Sequence, residues 1–442
     1  MSINNSNTLD INDISKILSQ RAFGTMIKPI GSRCNLNCTY CYYLHRYKNH
    51  SQGTSLMSEE LLEEYIKQYI EAQQVDTVTF CWHGGEPTLA PLEYYKNAIE
   101  LQKKHSCGKK IINTFQTNGT LINLEWCKFF RENDILVGLS IDGPKEIHDC
   151  NRYWTNGKSS FEAALKSAQL FHQTGVEFNT LTTVNKYNED KGKEIYTFLR
   201  DVVGSRFMQF LPVAELITLN NITTSDQLHN QEKTASANFK IAQYNNTSAQ
   251  ISPWSVSSKG YGKFLTDIFD LWVQRDVGNI FVQIFDTTLA NWCGYPPGVC
   301  TLGEYCSDSL TIESNGDVYP CDHFAFEEYK LGNITQNSLS EIYDFPERIE
   351  FSLAKKKELC NDCLQCKYLF ACHGECPQHR FRSQSDKPTK SYLCQGLKDY
   401  FEYVEPYMEY MKMLLERGLP PAQIMQVAKE FKRIKLIDTR LK

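Results

Sequence analysis

The sequence predicts an α/β protein, built on a parallel sheet of βα units and followed by a cysteine-rich domain and C-terminal helices. Between about residues 23 and 213, six short apolar runs alternate with five segments of helical pattern. Alternation of this kind is typical of parallel sheets whose strands are connected by helices. Eleven of the seventeen cysteines then fall into three groups, and residues 400–435 show helical periodicity with frequent charges.

The predicted strands and helices follow from local patterns along the chain. Ser58 precedes Glu59 and Glu60 and indicates a helix start, because a serine hydroxyl can cap free N–H groups of the first turn. The candidate strands are Thr25–Ile30, Thr77–Trp82, Lys110–Gln116, Leu136–Ile141, Glu177–Val184 and Phe207–Leu211. The candidate helices are Ser58–Glu71, Leu92–His105, Leu124–Asn133, Ser160–Thr174 and Glu189–Val202.

Composition divides the chain into five parts. An N-terminal extension, residues 1–21, precedes the βα units in residues 22–215. Residues 216–298 form a polar insertion and bridging segment, and the Asn-, Thr-, Ser- and Gln-rich stretch at 216–250 indicates either an insertion or a mobile lid. The cysteine-rich domain covers residues 299–395, and C-terminal helices cover residues 396–442.

Bulk properties favour a globular, cytoplasmic protein over several other classes. The 442 residues, 41% hydrophobic and 22% charged, are ordinary for a globular chain, and a net charge of -5 argues against nucleic-acid binding. The first residues show no signal-peptide pattern, and no apolar run is long enough to span a membrane. A chain of this length is not a small disulfide scaffold, so we expect a reduced, metal-loaded protein.

The sharpest motif is the cysteine loop Cys34-x3-Cys38-x2-Cys41, which follows the first predicted strand. Reactive groups of parallel barrels lie at this end of the strands. Three thiolates on one loop suit three irons of a [4Fe–4S] cluster, because sulfur is a soft ligand that iron accepts. Without a fourth local cysteine, one iron stays open to a non-protein ligand, which points to chemistry rather than storage.

The other two cysteine groups lie in the cysteine-rich domain. Their spacings are Cys300-x5-Cys306-x14-Cys321 and Cys363-x2-Cys366-x5-Cys372-x3-Cys376-x17-Cys394. Eight thiols are enough for two fully ligated [4Fe–4S] clusters, although a zinc ribbon uses similar spacings. Six cysteines remain, and we expect them to be small buried hydrophobes: Cys81, Cys107, Cys127, Cys150, Cys293 and Cys360. Cys360 is interpreted as a spare thiol.

Further polar motifs follow the predicted strands, and each has an ordinary alternative. His83-Gly84-Gly85-Glu86-Pro87 is either a tight turn or a place where a ligand approaches the backbone, with Glu86 as an acceptor for an ammonium group. Arg152 is either a surface residue or a bidentate partner for a carboxylate. Asp322, directly after Cys321, is either a hydrogen-bonded turn residue or a general base.

The cysteine loop resembles that of the radical S-adenosylmethionine (SAM) enzymes. The resemblance implies a partial (β/α)6 TIM-like radical SAM barrel, in which SAM chelates the open iron and yields a 5′-deoxyadenosyl radical. It also implies SAM contacts, which by position are Tyr40, Gly85, Ser140, Arg152 and the backbone at Leu211.

The cysteine-rich domain resembles the SPASM domain, which carries two auxiliary [4Fe–4S] clusters. That resemblance, and not spacing, assigns Cys376 to the cluster of the earlier group. One auxiliary cluster would then use Cys300, Cys306, Cys321 and Cys376. The other would use Cys363, Cys366, Cys372 and Cys394.

Several longer runs are similar to those of anaerobic sulfatase-maturating enzymes. These runs include Trp82–Pro87, Gln116–Thr120, Ser140–Pro144, Trp292–Cys300, Tyr319–Phe324 and Tyr329–Ile334. The resemblance implies oxidation of a Cys or Ser in a sulfatase Cys/Ser-x-Pro-x-Arg motif to Cα-formylglycine. It makes Asp322 the base that deprotonates the Cβ radical, with an auxiliary cluster as electron acceptor.

The implied partners are an unfolded or nascent sulfatase polypeptide and a low-potential electron donor such as flavodoxin or ferredoxin. Three alternatives remain open at this point. One is a SPASM peptide maturase that forms thioether or carbon–carbon crosslinks, and another is an electron carrier or zinc-stabilised interaction module. The third is a maturase-like protein that has lost activity, against which the presence of every expected ligand and of Asp322 argues.

Overall fold

Ten strands from several parts of the chain form one sheet, and the polar motifs lie on or beside these strands. The structure is a computed structural model that describes residues 22–43, 55–219, 239–306, 309–382 and 388–431. The predicted N-terminal extension, residues 220–238 of the polar insertion and residues 432–442 of the C-terminal segment lie outside the described residues.

Thirteen strands and thirteen α-helices follow one another along the described residues. The strands are β1 (Gly24–Ile27), β2 (Thr77–Trp82), β3 (Lys110–Thr117), β4 (Leu136–Ser140), β5 (Phe178–Val184), β6 (Phe207–Pro212), β7 (Leu216–Leu219), β8 (Phe239–Ala242), β9 (Gln250–Ile251), β10 (Phe281–Val282), β11 (Ser309–Ile312), β12 (Asp317–Tyr319) and β13 (Gly332–Asn333). The helices are α1 (Glu59–Ala72), α2 (Leu92–His105), α3 (Leu124–Glu132), α4 (Lys145–His148), α5 (Phe161–Thr174), α6 (Gly192–Asp201), α7 (Ser258–Arg275), α8 (Gln283–Trp292), α9 (Leu339–Tyr343), α10 (Pro346–Lys357), α11 (Asn361–Leu364), α12 (Leu369–Cys372) and α13 (Cys394–Glu416).

The predicted parallel arrangement is confirmed. Strands β1 to β6 lie side by side in sequence order, and each neighbouring pair is parallel. Their carboxyl ends therefore meet at one edge of the sheet. Strand β1 ends three residues before the predicted Ile30, because Gly31, at φ 57°, donates its N–H to the carbonyl of Lys28 and closes a turn there.

The sheet extends beyond the six predicted strands at both ends. Strand β11, from the cysteine-rich segment, adds to β1 in parallel, with Gly24 opposite Ser309 and Ile27 opposite Ile312. Strands β12 and β13 continue it in antiparallel fashion, while β10 extends the other end beside β6. The two predicted domains share one sheet, so the boundary drawn between them stays a prediction.

The described part of the polar insertion has regular structure. Strands β7, β8 and β9 form a small antiparallel sheet in the order β8-β7-β9. The stretch predicted as a lid therefore begins and ends in strands. In the described residues, no helix has both the length and the apolar character that a membrane crossing requires.

One helix start agrees with its prediction, and one contact between helices holds the end of the cysteine-rich segment. Helix α1 begins at Glu59, and the Ser58 hydroxyl caps it by accepting from the N–H of Leu61, as predicted. Helices α7 and α13 pack closely at two glycines, since a Cβ on Gly396 would lie 1.7 Å from the carbonyl oxygen of Ser258. Helix α13 begins at Cys394, so this packing also holds the last predicted cluster ligand.

Candidate functional site

The first cysteine loop lies at the carboxyl end of β1 and is tied to the segment after α4. The N–H of Asn37 donates to the carbonyl of Tyr153, and the N–H of Thr39 donates to that of Asn151. Within the loop, the N–H of Leu36 points at the sulfur of Cys34, 3.4 Å away. The hydrogen bonds from Asn37 and Thr39 hold the loop against the residues on either side of Arg152.

The three thiols of this loop lie close together, with Cys38 buried and Cys34 and Cys41 half-buried. Burial raises the pKa of Cys34, and the nearby Cys38, Glu86 and Cys41 raise it further. Burial also raises the pKa of Cys38, against which Arg152 acts. Thiolates are held in such surroundings only with a cationic partner, and the soft sulfur donors match iron. The donor set therefore fits an iron–sulfur cluster.

The backbone of Gly85 packs directly against the start of the cysteine loop. A Cβ on Gly85 would lie 2.0 Å from the carbonyl oxygen of Arg33, immediately before Cys34. The N–H of Gly85 donates to Gly31, and that of Glu86 donates to Arg33, at 2.9 and 2.8 Å. The predicted ligand approach at Gly85 stays a prediction, whereas its role in seating the loop is visible.

Glu86 is fully buried and joins the ends of two strands. Its Oε1 accepts from the hydroxyls of Thr88 and Thr117, at 2.6 and 2.7 Å, and its Oε2 accepts from the N–H of Asn118. Burial raises the pKa of this carboxyl group, while these hydrogen bonds oppose the rise. Its oxygens thus already have donors before any ammonium group arrives.

Tyr40 and Arg152 come together beside the cysteine loop. Tyr40 donates to a carboxylate oxygen of Asp142, whose other oxygen accepts from the N–H of Thr183 at 3.0 Å. Arg152 donates to the Tyr40 hydroxyl at 3.1 Å, and its Nε is buried with no hydrogen-bond partner among the described residues. An unsatisfied guanidinium N–H in a buried site fits a carboxylate ligand.

The other predicted SAM contacts lie on neighbouring strand ends. Ser140 ends β4, and its hydroxyl accepts from the side-chain amide of Gln116 at 3.1 Å. Leu211 lies in β6 opposite Thr183 of β5 and keeps a 42% exposed side chain. All of these residues therefore lie toward the same edge of the sheet.

Asp322 lies beside the first cysteine loop. It is buried, ion-pairs with Lys28 and accepts a hydrogen bond from Tyr42, which directly follows Cys41. Burial alone would raise the pKa of Asp322, but Lys28, then His83 and His323, hold it below the usual range. These contacts place the Asp322 carboxylate where the cysteine-rich segment meets the first cysteine loop.

Sequence reasoning missed the residues around Asp322. Lys28 also contacts Glu313, at 3.2 Å, and Tyr43 donates to the other oxygen of Glu313 at 2.7 Å. The ring of Tyr42 stacks on His323 with centroids 5.1 Å apart. One signal of this group was available in the sequence. Lys28 stands at the end of an apolar predicted strand, shortly before the cysteine loop, and such a position is expected to be buried.

The eight cysteines of the cysteine-rich segment fall into two neighbourhoods. Burial, Glu375 and then Cys321, Cys306 and Cys300 raise the pKa of Cys376. Burial raises the pKa of Cys372 to about 12, and Glu375, Cys394 and Cys363 act in the same direction. Burial raises the pKa of Cys394, and Cys366 contributes. The structure therefore brings Cys376 to the earlier group, while the ligand roles themselves stay predictions.

The described residues contain all seventeen cysteines, and none of them forms a disulfide. No three Cys, His, Asp or Glu side chains in the described ranges converge to hold a single metal ion. Cys360 lies with its sulfur 3.6 Å from that of Cys363. Cys127 is buried as predicted, but the prediction is wrong for Cys107 and Cys150, which are exposed in turns that follow helices α2 and α4.

Two protein families match the chain. The radical SAM superfamily matches residues 29–199, and an iron–sulfur cluster-binding domain called SPASM matches residues 300–367. These two ranges contain, respectively, the first cysteine loop and most of the later cysteines.

Individual proteins match over nearly the whole chain. A serine-type anaerobic sulfatase-maturating enzyme of Bacteroides thetaiotaomicron is 44% identical, over 92% of this chain and 95% of its own length. A cysteine-type enzyme of the same kind from Clostridium perfringens is 34% identical, over 86% and 96%. The solved structure of native anSMEcpe with bound AdoMet and the Kp18Cys peptide superposes with a TM-score of 0.75, at 31% identity, over 88% of this chain and 99% of that one.

Proposed function

Since the chain belongs to the anaerobic sulfatase-maturating enzymes of the radical SAM superfamily, we propose that it oxidises a Cys or Ser to Cα-formylglycine. The target residue is the first of a Cys/Ser-x-Pro-x-Arg motif in an unfolded or nascent sulfatase polypeptide. The observation that carries the proposal is the contact between Asp322 and Tyr42 of the first cysteine loop. A base is of use to this reaction only beside the place where the radical forms.

The enzyme uses SAM and several [4Fe–4S] clusters. Bound, they supply the radical that removes a Cβ hydrogen from the target residue and the acceptor that takes the remaining electron. We propose Cys34, Cys38 and Cys41 as ligands of the SAM-binding cluster. For the auxiliary clusters we propose Cys300, Cys306, Cys321 and Cys376, and Cys363, Cys366, Cys372 and Cys394.

The residues at the strand ends then hold SAM. Arg152 offers its unpaired Nε to the carboxylate of SAM, and Tyr40 fixes the guanidinium from the other side. Gly85 keeps the loop seated, while Ser140 and the backbone at Leu211 face the ribose and adenine. A low-potential flavodoxin or ferredoxin supplies the electron that starts the reaction. We place the protein in the cytoplasm, where reducing conditions keep its cysteines from forming disulfides.

Asp322 accepts the thiol or hydroxyl proton of the target residue. Its carboxylate is held beside the first cysteine loop by Lys28 and Tyr42, where the target residue would lie. Loss of that proton makes the substrate radical easier to oxidise, because the electron then leaves an anion. Water converts the thioaldehyde from a Cys substrate to the aldehyde and releases hydrogen sulfide, and a Ser substrate gives the aldehyde directly.

The test uses anaerobically reconstituted protein, SAM, a strong reductant and two peptides that differ only in Cys or Ser at the target position. A Cys peptide should lose about 18 Da and a Ser peptide about 2 Da, from stoichiometry, and both products should react with a hydrazine as aldehydes. Cys38→Ala, which removes a predicted cluster ligand, should release no 5′-deoxyadenosine. A product that is about 2 Da lighter and does not react as an aldehyde would instead indicate a crosslinking maturase.

A further inference from the structure

We propose that Lys28 is a positioning residue of this reaction: its ammonium group fixes the Asp322 carboxylate in the orientation that accepts the substrate proton. The inference rests on the proposed function, because it takes Asp322 to be the base. Lys28 does not touch the target residue and acts through Asp322.

Lys28 is an unusual lysine because its side chain has no exposed surface. Burying an ammonium group is costly unless charged or polar partners replace its hydration. The partners of Lys28 are Asp322, Glu313 at 3.2 Å and the face of the Tyr43 ring, whose centroid is 3.8 Å from Nζ. These partners hold the ammonium group at a fixed place beside Asp322.

The contacts of Lys28 determine how Asp322 can turn. One carboxylate oxygen of Asp322 faces the ammonium group, and the other accepts from the Tyr42 hydroxyl. Two partners on two oxygens define the plane of the carboxylate. Glu313 is held in the same way, by Lys28 on one oxygen and Tyr43 on the other.

Lys28 also compensates charge that would otherwise disturb this arrangement. Asp322 and Glu313 are both buried and share the one ammonium group. Without it, the two carboxylates would repel each other in a poorly screened environment. Asp322 would then leave its position even though Tyr42 remained.

The place of Lys28 in the fold suits this task. It directly follows β1, and its N–H donates to the carbonyl of Ile312 in the neighbouring strand β11, at 2.9 Å. Glu313, which follows Ile312, and the later Asp322 both come from the cysteine-rich segment. Lys28 therefore sets the position of a base from one segment relative to the cluster loop of the other.

A purely structural ion pair is the competing explanation, and the two make different predictions. If the role is structural, replacing Lys28 lowers the free energy of unfolding or the iron content, but the amount of formylglycine formed per 5′-deoxyadenosine released stays the same. A positioning role changes the amount of formylglycine formed per 5′-deoxyadenosine released, because radical formation continues while proton removal becomes slow.

The experiment compares wild type with Lys28→Met and Lys28→Arg. Lys330→Met is the matched control, since Lys330 also pairs with an aspartate of the cysteine-rich segment, Asp317, at 2.7 Å. Iron content and the thermal unfolding midpoint are measured with the product ratio. Lys28→Met should keep its iron and 5′-deoxyadenosine release while the ratio falls at least about tenfold, as misplaced catalytic groups do. Lys28→Arg should recover part of the ratio, and Lys330→Met should match wild type.

An iron-loaded Lys28→Met protein with the wild-type ratio would overturn the inference. If Lys28→Met fails to load iron, Lys28→Gln, which keeps a polar side chain without the charge, decides, and a wild-type ratio there overturns the inference too. Wild-type protein that forms no formylglycine would overturn the proposed function and this inference together, so the two failures are distinguishable.

Discussion

At the residue scale, Gly85 joins two motifs through a contact between backbones. Its Cα faces the carbonyl of Arg33, so that any Cβ would lie 2.0 Å from that oxygen. Gly84 beside it adopts φ 125°, which favours glycine. The glycine pair thus seats the loop that carries Cys34, and the loop cannot move away without losing the hydrogen bonds from Gly85 and Glu86.

Gly85→Ala should displace the first cysteine loop. The carbonyl of Arg33 would have to shift, and with it the neighbouring Cys34. We expect the variant to lose about four irons per chain, as for one missing [4Fe–4S] cluster, and to release little 5′-deoxyadenosine. Gly298→Ala is the control, because a Cβ there meets nothing within 4 Å. A Gly85→Ala protein with full iron content would contradict this role of the glycine.

Sequence alone could predict the polar strand ends but not the surroundings of Asp322. The cysteine spacing and His83–Pro87 are local patterns, readable without a fold. Lys28 contacts Asp322 and Glu313, which lie nearly three hundred positions later in the chain. Lysine is almost always exposed, so a lysine at the end of an apolar strand was a local signal of burial, but nothing local identifies its distant partners.

At the element scale, helices α7 and α13 form a close contact that holds Cys394. A Cβ on Gly262 would lie 2.3 Å from the carbonyl oxygen of Gly396, and the N–H of Gly396 donates to the hydroxyl of Ser258 at 2.9 Å. Two glycines let the helix backbones approach to this distance. The start of α13, and Cys394 with it, therefore depends on α7.

Gly396→Ala should force these two helices apart. Overpacking of this kind typically costs about 1–3 kcal/mol of unfolding free energy, and the clash in this case is with backbone atoms that cannot rotate away. A denaturant unfolding curve followed by circular dichroism should show a lower midpoint than wild type, while Gly298→Ala should not. An unchanged midpoint for Gly396→Ala would mean that the two helices can separate without loss of stability.

The strands were predictable because apolar runs are local, and β2 lies at its predicted residues, Thr77–Trp82. The pairing of β11 with β1 was not predictable in the same way. Ser309–Ile312 is a four-residue run, and parallel pairing with a strand far away in the chain leaves no local mark. The alternating pattern indicates that a strand exists, whereas its neighbour is decided by long-range packing.

At the scale of the whole molecule, one sheet joins the radical SAM segment to the cysteine-rich segment. The pair β1–β11 carries the first cysteine loop after one strand and Glu313 after the other. Tyr42 and Tyr43 reach from that loop to Asp322 and Glu313. The two halves are therefore coupled through a continuous sheet and a buried group of charges.

Paired cysteine substitutions test how the auxiliary clusters are divided. If Cys376 shares a cluster with Cys321, Cys376→Ala alone and Cys376→Ala with Cys321→Ala should each lose about four irons. Cys376→Ala with Cys372→Ala should lose about eight, because two clusters are then damaged. Iron analysis of anaerobically reconstituted variants gives the answer. The reverse result, a loss of about eight irons with Cys321→Ala and about four with Cys372→Ala, would support a division of the cysteines in chain order instead.

The most direct test of the proposed mechanism concerns Asp322, compared between wild type and Asp322→Asn. The asparagine keeps the shape of the side chain but cannot accept the proton, so radical formation should continue while the product is lost. With a Cys-x-Pro-x-Arg peptide, formylglycine per 5′-deoxyadenosine should fall about a hundredfold or more, the usual contribution of a positioned base. Formylglycine formed by Asp322→Asn at the wild-type ratio would show that another group takes the proton, and would contradict the central claim.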